Sequence, residues 1–305
     1  MKHYSVLKEE AIEGLNLKDN SIVVDATLGY AGHSSEILKK IPNGKLIAFD
    51  QDEEAINYSK EKLSSIANNF EIIHSNFVNL KSKLEEKGIN KVDACLFDLG
   101  LSSPQIDEDS RGFSFMYDAK LDMRMDKSNE FSAYDVVNNY KQEELTKIFY
   151  EYGEEKLSKV IAKKIVNSRP IETTLELVEA IKQAVGLKYF NLNHPERQIF
   201  QAIRIEVNKE LDVLSKVLPD AIELLNVGGR ISVITFHSLE DKIVKKIFKE
   251  NSEISDLVKG LPEIPKEYMP KIKLINKKVI LPSEDEIKEN SRSKSAKLRI
   301  IERIG

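Results

Sequence analysis

Apolar residues in the first hundred positions fall into short runs separated by stretches with helical spacing. Ser21-Ile-Val-Val-Asp25, Gly44-Lys-Leu-Ile-Ala-Phe-Asp50, Phe70-Glu-Ile-Ile-His74 and Val92-Asp-Ala-Cys-Leu-Phe-Asp98 each carry a compact apolar centre, which predicts four buried strands. Between them, Glu53 to Ile66 and Asn79 to Lys87 combine helical spacing with good helix formers. Strand–helix–strand alternation of this kind predicts βαβ units and a parallel sheet.

The rhythm then breaks. The next comparable strand, Arg230-Ile-Ser-Val-Ile-Thr-Phe236, follows a Gly228-Gly229 turn and begins about 139 residues after the fourth. One crossover needs about 30 residues, so roughly 110 are surplus. They read as helices. Ser132-Ala-Tyr-Asp135 and Thr173-Thr-Leu-Glu176 fit the capping box, Glu154 to Val166 and Leu175 to Val185 have helical spacing, and His194-Pro195 opens a long helix with Pro at its first position. An insertion is expected rather than a second domain in tandem, because strand five and the tail still need a sheet to join. The expected organisation is an α/β domain split in sequence, residues 1–105 and 206–305, with an all-helical, substrate-binding insertion at 106–205. In the tail, Ile272 to Leu281 and Ala296 to Ile304 have near-alternating apolar positions and predict strands. Ser283 to Ser295 between them is polar, a loop or short helix.

Composition changes this picture only in places. The 305 residues are 41% hydrophobic and 31% charged, enough apolar material for a buried core and too much for disorder as the main state. The length also fits about two domains of roughly 150 residues. No apolar run approaches the roughly 18–20 residues of a membrane span, and Met1 to Glu10 lacks a signal-peptide core, so no membrane partner is expected. Cys95 is the single cysteine, which excludes an internal disulfide and a cysteine-cluster zinc site and fits a cytoplasmic location. The histidines at 3, 33, 74, 194 and 237 have no H-E-x-x-H spacing, and no metal is expected. The net charge of −4 conceals an asymmetry. Lys271 to Gly305 holds ten basic and five acidic residues, a net of +5 that leaves −9 for the rest. In that tail Lys294, Lys297 and Arg299 read either as phosphate contacts or as a solvated charged segment.

Four features map to the C-terminal edge of the predicted parallel sheet, where such sheets bind ligands. Asp25-Ala-Thr-Leu-Gly-Tyr-Ala-Gly-His-Ser34 follows the first strand, with Gly29 and Gly32 where the chain turns into a helix and a ligand can approach the backbone. Asp50 ends the second strand, about 21 residues past Gly29, where a carboxylate accepts hydrogen bonds from both hydroxyls of an adenosine ribose. Asn76-Phe77 follows the third strand and offers an aromatic to an adenine. Asp98 ends the fourth. NAD and S-adenosylmethionine both fit this geometry. A pyrophosphate prefers G-x-G-x-x-G, whereas here only Gly29-x-x-Gly32 stands behind Asp25, which weakens the dinucleotide and suits S-adenosylmethionine.

The loop Asp98-Leu-Gly-Leu-Ser-Ser-Pro-Gln105 would lie beside the methyl-bearing sulfur. An exocyclic amine conjugated to a base is a poor nucleophile, and acceptors on its N–H groups favour the pyramidal form that attacks. Ser102, Ser103, Gln105 and Asp98 are candidate acceptors. A target base must be unstacked to be reached, and Phe113, Phe115 and Tyr117 are candidate stacking partners or core residues. A carbon-5 cytosine mechanism needs a cysteine nucleophile, and Cys95, inside strand four, is expected to be buried and inert.

Seven blocks in matching order closely resemble the bacterial 16S ribosomal RNA cytosine-N4 methyltransferases. They are Asp25-x-Thr-x-Gly-x-x-Gly-His-Ser34, Asp98-Leu-Gly-x-Ser-Ser-Pro-Gln105, Arg111-Gly-Phe-Ser-Phe-Met116, Leu121-Asp-Met-Arg-Met-Asp126, Tyr152-Gly-Glu-Glu155, Phe200-Gln-Ala-x-Arg204 and Phe236-His-Ser-Leu-Glu-Asp-x-Ile-Val-Lys245. The resemblance implies a class I (Rossmann-like) methyltransferase domain with a helical insertion. It also implies methyl transfer from S-adenosylmethionine to the N4 amine of one cytidine in the decoding centre of 16S rRNA, within the small ribosomal subunit. It carries cofactor contacts onto Ala31, Gly32, His33, Asp50, Phe77, Asp98 and Gln105. Ala31 stands where the family more usually has glycine, which is tolerable if its φ stays negative and it keeps clear of the ligand. Arg111, Arg124 and Arg204 either meet RNA phosphate or hold the insertion together. His237 either faces the target base or packs, and Ser238 with Asp241 fits a helix cap. No obligate protein partner is evident. The competing readings are an NAD-dependent oxidoreductase and a non-catalytic RNA-binding assembly factor.

Overall fold

The computed structural model describes residues 5–101, 108–254, 258 and 261–305. Ser102, Ser103 and Gln105 therefore lie outside the described residues. The chain forms two compact units, residues 1–100 with 211–305, and residues 101–210.

The first unit is built on seven strands: β1 (Ile22–Asp25), β2 (Lys45–Asp50), β3 (Phe70–His74), β4 (Val92–Asp98), β5 (Leu225–Thr235), β6 (Ile272–Leu274) and β7 (Lys297–Arg303). Their order is β3-β2-β1-β4-β5-β7-β6. The first five run parallel, and β7 enters antiparallel beside β5 and pairs antiparallel with β6. This is the expected α/β architecture, with antiparallel tail strands on a parallel sheet. Strand order reverses between β1 and β4, so the ends at Asp25 and Asp98 flank the switch point where open α/β sheets bind ligands.

The sheet is covered on both faces, as parallel sheets require. Alternate residues of each strand feed opposite cores. Val24, Phe49, Cys95, Phe97 and Val233 pack with Leu80, Leu84, Leu218, Ile222 and Phe248 on one face. Val23, Ala48, Ala94, Leu96 and Ile234 pack with Ala11, Ile12, Ile37 and Leu38 on the other. Cys95 is fully buried, and burial pushes its thiol up to about 12, so it is no nucleophile.

Several elements differ from the sequence reading. The fifth strand begins at Leu225, and Gly228-Gly229 lies within it: between partners Val92↔Leu225 and Ala94↔Arg230 the strand bulges outward, with Gly228 at φ 85. The helix α1 (Lys8–Gly14) went unread because seven residues are too few for periodicity to discriminate. The tail strand expected over Ile272 to Leu281 pairs only over Ile272–Leu274, with an isolated bridge from Ile280 to Leu298. The cap expected from Ser238 and Asp241 is shifted by one residue. His237 and Glu240 form the capping box of the helix Ser238–Ser252, while Asp241 is held by Arg299 at 2.8 and 3.2 Å and lies 3.6 Å from Lys297. Arg299 is thus engaged within the fold.

The second unit contains the helices Ala133–Asn139, Gln142–Glu151, Ser158–Asn167, Thr174–Val185, Leu187–Asn193 and Pro195–Asn208 among its described residues. They enclose a core that includes Phe149, Ile161, Ile165, Leu177, Ile181, Ile199 and Ile203. The capping boxes at Ser132 and Thr173 form with Asp135 and Glu176, and Pro195 occupies the first turn of its helix. No helix among the described residues is long and apolar enough to cross a membrane.

Candidate active site

Three aspartates end neighbouring parallel strands, and each is held differently. Asp25, at the end of β1, is buried. It accepts from the Ser34 hydroxyl at 2.6 Å and the Thr27 N–H at 3.1 Å. Burial raises its carboxyl above the usual range, against the pull of Ser34 and His33. It therefore braces the turn between β1 and α2 (Gly32–Lys40).

Asp50 ends β2. Its Oδ2 accepts from the Gly29 N–H at 2.7 Å, and its Oδ1 from the Asp52 N–H at 2.9 Å. Two backbone donors orient both oxygens, and each oxygen retains a second lone pair for a hydroxyl donor. Burial raises its carboxyl to about 6 although those bonds oppose the shift. Gly29 sits at φ 48, and its carbonyl accepts from the Ser59 hydroxyl at 2.7 Å. The loop between β1 and α2 is thus tied to the second βα unit from both sides.

Asp98 ends β4. Its backbone N–H donates to Thr27 Oγ1 at 2.7 Å, and its Oδ2 lies 3.4 Å from His33 Nδ1. Its Oδ1 is buried with no hydrogen-bond partner among the described residues. A buried carboxylate oxygen without a donor is costly unless a ligand supplies one. His33 is buried, and its Nε2 donates to the Val6 carbonyl at 3.1 Å. A carbonyl can only accept, so Nε2 carries a proton, while Nδ1 faces a carboxylate. Burial pulls the His33 imidazole down, but Asp98 and then Asp25 outweigh it and hold it above its usual value. The Val6 carbonyl on one side and the Asp98 carboxylate on the other thus both favour the protonated imidazole.

The third βα loop is pinned from the second. Asn76 caps the turn Phe77–Asn79 by accepting the Val78 N–H at 2.9 Å, and its amide donates to Gln51 Oε1 at 3.0 Å. Phe77 is half-buried and set edge-on to Phe97, with centroids 5.9 Å apart. The structure thus brings Ala31, Gly32, His33, Asp50, Phe77 and Asp98 to the C-terminal ends of the parallel strands in one unit.

One local expectation needs correction. Ala31 has φ 54, not a negative φ. Its left-handed conformation costs about 1–2 kcal/mol. The residue is fully buried among Leu28 and Ile37, and its N–H closes the turn onto the Leu28 carbonyl at 2.9 Å. Gly32 has a packing constraint of its own: a methyl there would lie 1.8 Å from Ser5 Oγ and 3.1 Å from Ser5 Cβ. The chain's own N-terminal segment occupies that space.

The residues offered for substrate divide by unit. In the helical unit, Arg111 is 3% exposed and donates to the Arg124 and Met125 carbonyls at 3.0 and 3.3 Å, beside the Phe113 ring. Arg124 forms a two-point pair with Asp122 at 2.7 and 2.8 Å. Arg204 does the same with Glu210, at 2.9 Å for both bonds. All three arginines are engaged within the helical unit. Phe113 belongs to the core, and Phe115 packs edge-on against Phe200 at 5.8 Å, whereas Met116 and Tyr117 are exposed. In the sheet unit, the His237 side chain is 9% exposed and its Nδ1 accepts the Glu240 N–H, so it packs as a cap. Thr27 and Ser34 were missed as functional residues. Thr27 lies within a quoted motif, but its bond to Asp98 spans 71 residues and leaves no local pattern.

The Ser5–Gly32 contact makes a specific prediction. Gly32→Ala should lower stability by about 1–2 kcal/mol through overpacking, and Ser5→Gly in the same chain should recover most of it. Urea unfolding of the four proteins of the cycle checks this, and strict additivity would contradict it.

The whole chain matches known proteins. The profile of the MraW methylase family aligns with residues 1–304. A curated relative, the ribosomal RNA small subunit methyltransferase H of Exiguobacterium sibiricum, is 52% identical over 307 residues, covering 99% of this chain and 98% of its own. Among solved structures, an rRNA methylase from Streptococcus thermophilus superposes with a TM-score of 0.44 at 13% identity, covering 97% of this chain and 93% of its own. TrmN from Thermus thermophilus gives 0.44 at 12% identity, covering 98% of this chain and 48% of its own. Identity of one residue in two with one relative, and a family profile that runs through both units, establish that the chain belongs to the MraW methylase family.

Proposed function

We propose that this protein transfers a methyl group from S-adenosylmethionine to the exocyclic N4 amine of a cytidine in the decoding centre of 16S rRNA, acting in the cytoplasm on the small ribosomal subunit. The observation that carries the reading is the trio of strand-end carboxylates, with Asp98 Oδ1 buried and without a hydrogen-bond donor among the described residues. The residues present fit the cofactor. Asp50, oriented by two backbone N–H groups, accepts from the ribose hydroxyls. Phe77 offers an aromatic ring to the adenine, and Asp98 offers an acceptor to the amino-acid end. A dinucleotide fits less well, since the loop into α2 offers only Gly29-x-x-Gly32 behind Asp25, not the G-x-G-x-x-G that a pyrophosphate prefers.

When bound, S-adenosylmethionine supplies an electrophilic methyl on its sulfonium. The chain's part is to hold the amine in line and accept its N–H bonds. Asp98 stands at the head of the segment that follows β4, and Ser102, Ser103 and Gln105 follow it in sequence. Acceptors from this segment draw on the amine N–H groups and favour the pyramidal nitrogen whose lone pair attacks. Cys95, buried one strand turn away, takes no part, which separates this chemistry from carbon-5 methylation. The helical unit contributes to RNA recognition, and its exposed Met116 and Tyr117 are among the apolar groups available to an unstacked base.

Two outcomes are expected. Purified protein incubated with methyl-labelled cofactor should place label in N4-methylcytidine on nucleoside digestion of 16S rRNA, more from assembled subunits than from naked RNA; label in 5-methylcytidine or no label would contradict the reading. Cofactor affinity should also depend on the charge of Asp50. Its folded value of about 6 lies above the ordinary carboxylate value, so it contributes to stability fully below pH 3.8 and loses that contribution as pH rises through about 6. Binding has the opposite sign, because the ionised form accepts hydroxyls best. Calorimetry should show affinity falling as pH drops from 7.5 to 5.5, and Asp50→Asn should bind about tenfold more weakly at pH 7.5 and lack that component of the fall.

A further inference from the structure

The residues ahead of α1 (Lys8–Gly14) are held from two directions. Glu286, in the helix Glu284–Glu289, accepts the Leu7 N–H at 2.9 Å across 279 positions of sequence. One residue earlier, the Val6 carbonyl accepts from His33 Nε2 at 3.1 Å, and Ser5 fills the space left by the side chain Gly32 lacks. Leu7 is fully buried at φ 48, a left-handed conformation that persists only where the surroundings hold it. Glu286 is itself set in place, since Ser283 caps its helix by accepting the Glu286 N–H at 3.1 Å. A carboxylate on a backbone N–H is a charge-assisted bond, stronger than a neutral one. A chain of contacts therefore runs from Glu286 to Leu7, from Val6 to His33, and from His33 to Asp98.

We propose that Glu286 is a positioning residue of the active site, acting through Leu7 and Val6 to hold His33 against Asp98. This rests on the reading of that site as the one for S-adenosylmethionine. The carboxylates that bear on the His33 ring are Asp98 and Asp25 at the strand ends, while Glu286 feels the His33 charge from the far side of the latch and also faces Glu10. If the latch opens, the Val6 carbonyl no longer holds Nε2–H, the imidazole keeps its second proton less tightly, and Asp98 Oδ2 loses the oriented ring that faces it. Residues 5–7 are then free to leave the first turn of α2. Glu286 thus reaches the site without touching cofactor or RNA, through two backbone groups.

The test uses the full chain and two readouts: calorimetric affinity for S-adenosylhomocysteine at pH 7.5, and the ring-carbon NMR titration of His33. Wild-type binding is measured first. If the wild type does not bind, the cofactor reading fails, while the His33 titration still tests the latch alone. Glu286→Ala should lower the His33 midpoint and weaken affinity about tenfold. Glu286→Gln, whose amide oxygen still accepts the Leu7 N–H, should stay within about threefold of wild type. A folded Glu286→Ala with an unchanged His33 midpoint overturns the proposal. So does an equal loss of affinity in the Ala and Gln variants, which is what a generalised destabilisation produces. Should Glu286→Ala fail to fold, Glu286→Asp, one methylene too short to reach Leu7, carries the same expectation and the same refutation.

Discussion

Carboxylates placed at the ends of buried parallel strands must find donors, because water reaches them poorly and an unpaired buried charge is expensive. Asp25, Asp50 and Asp98 meet this constraint in three ways, and the rest of the sheet unit follows from how they do so. Asp25 takes a hydroxyl and an N–H from the turn it precedes, which fixes the entry into α2. Asp50 takes N–H groups from two different βα loops, which locks those loops to each other. Asp98 faces His33 Nδ1 with one oxygen and leaves the other without a donor among the described residues. The first two build the edge, and the third leaves it chemically incomplete. An edge that is rigid and short of one donor is preorganised for a ligand that brings it.

The helical unit uses its arginines differently from what a basic RNA-binding surface would suggest. Arg111 holds the loop that carries Arg124, Arg124 closes on Asp122, and Arg204 closes on Glu210. Each pair is at least half-shielded and geometrically two-pointed, so its purpose is shape. The tail behaves similarly, with Arg299 tied to Asp241. The net charge of the tail therefore overstates the positive charge it presents.

Most of the sheet was legible because its signals are local. The four first strands, their carboxylate ends, the glycine loop and the capping boxes at Ser132 and Thr173 lie within a few residues of the pattern that reveals them. What was illegible is what joins distant segments. The αL turn at Ala31 could not be foreseen, since nothing in the sequence shows that its methyl is swallowed by the core behind Leu28 and Ile37. Nor did any local pattern show that Ser5 occupies the space a side chain at Gly32 would need. The latch from Glu286 to Leu7 connects the two ends of the chain through a segment that read as an unremarkable polar stretch. The displaced cap at His237 has the same origin: Asp241 is committed to Arg299 on β7, and Glu240 completes the capping box instead.

The central claim is that four βα loops of the sheet unit form one cofactor site around those carboxylates. Amide NMR of the protein titrated with S-adenosylhomocysteine tests it directly. The account predicts that shifts concentrate in residues 26–33, 50–52, 76–78 and 98–100, moving together at one affinity. Shifts confined to a single loop, or clustered in the helical unit with the strand ends silent, would contradict it.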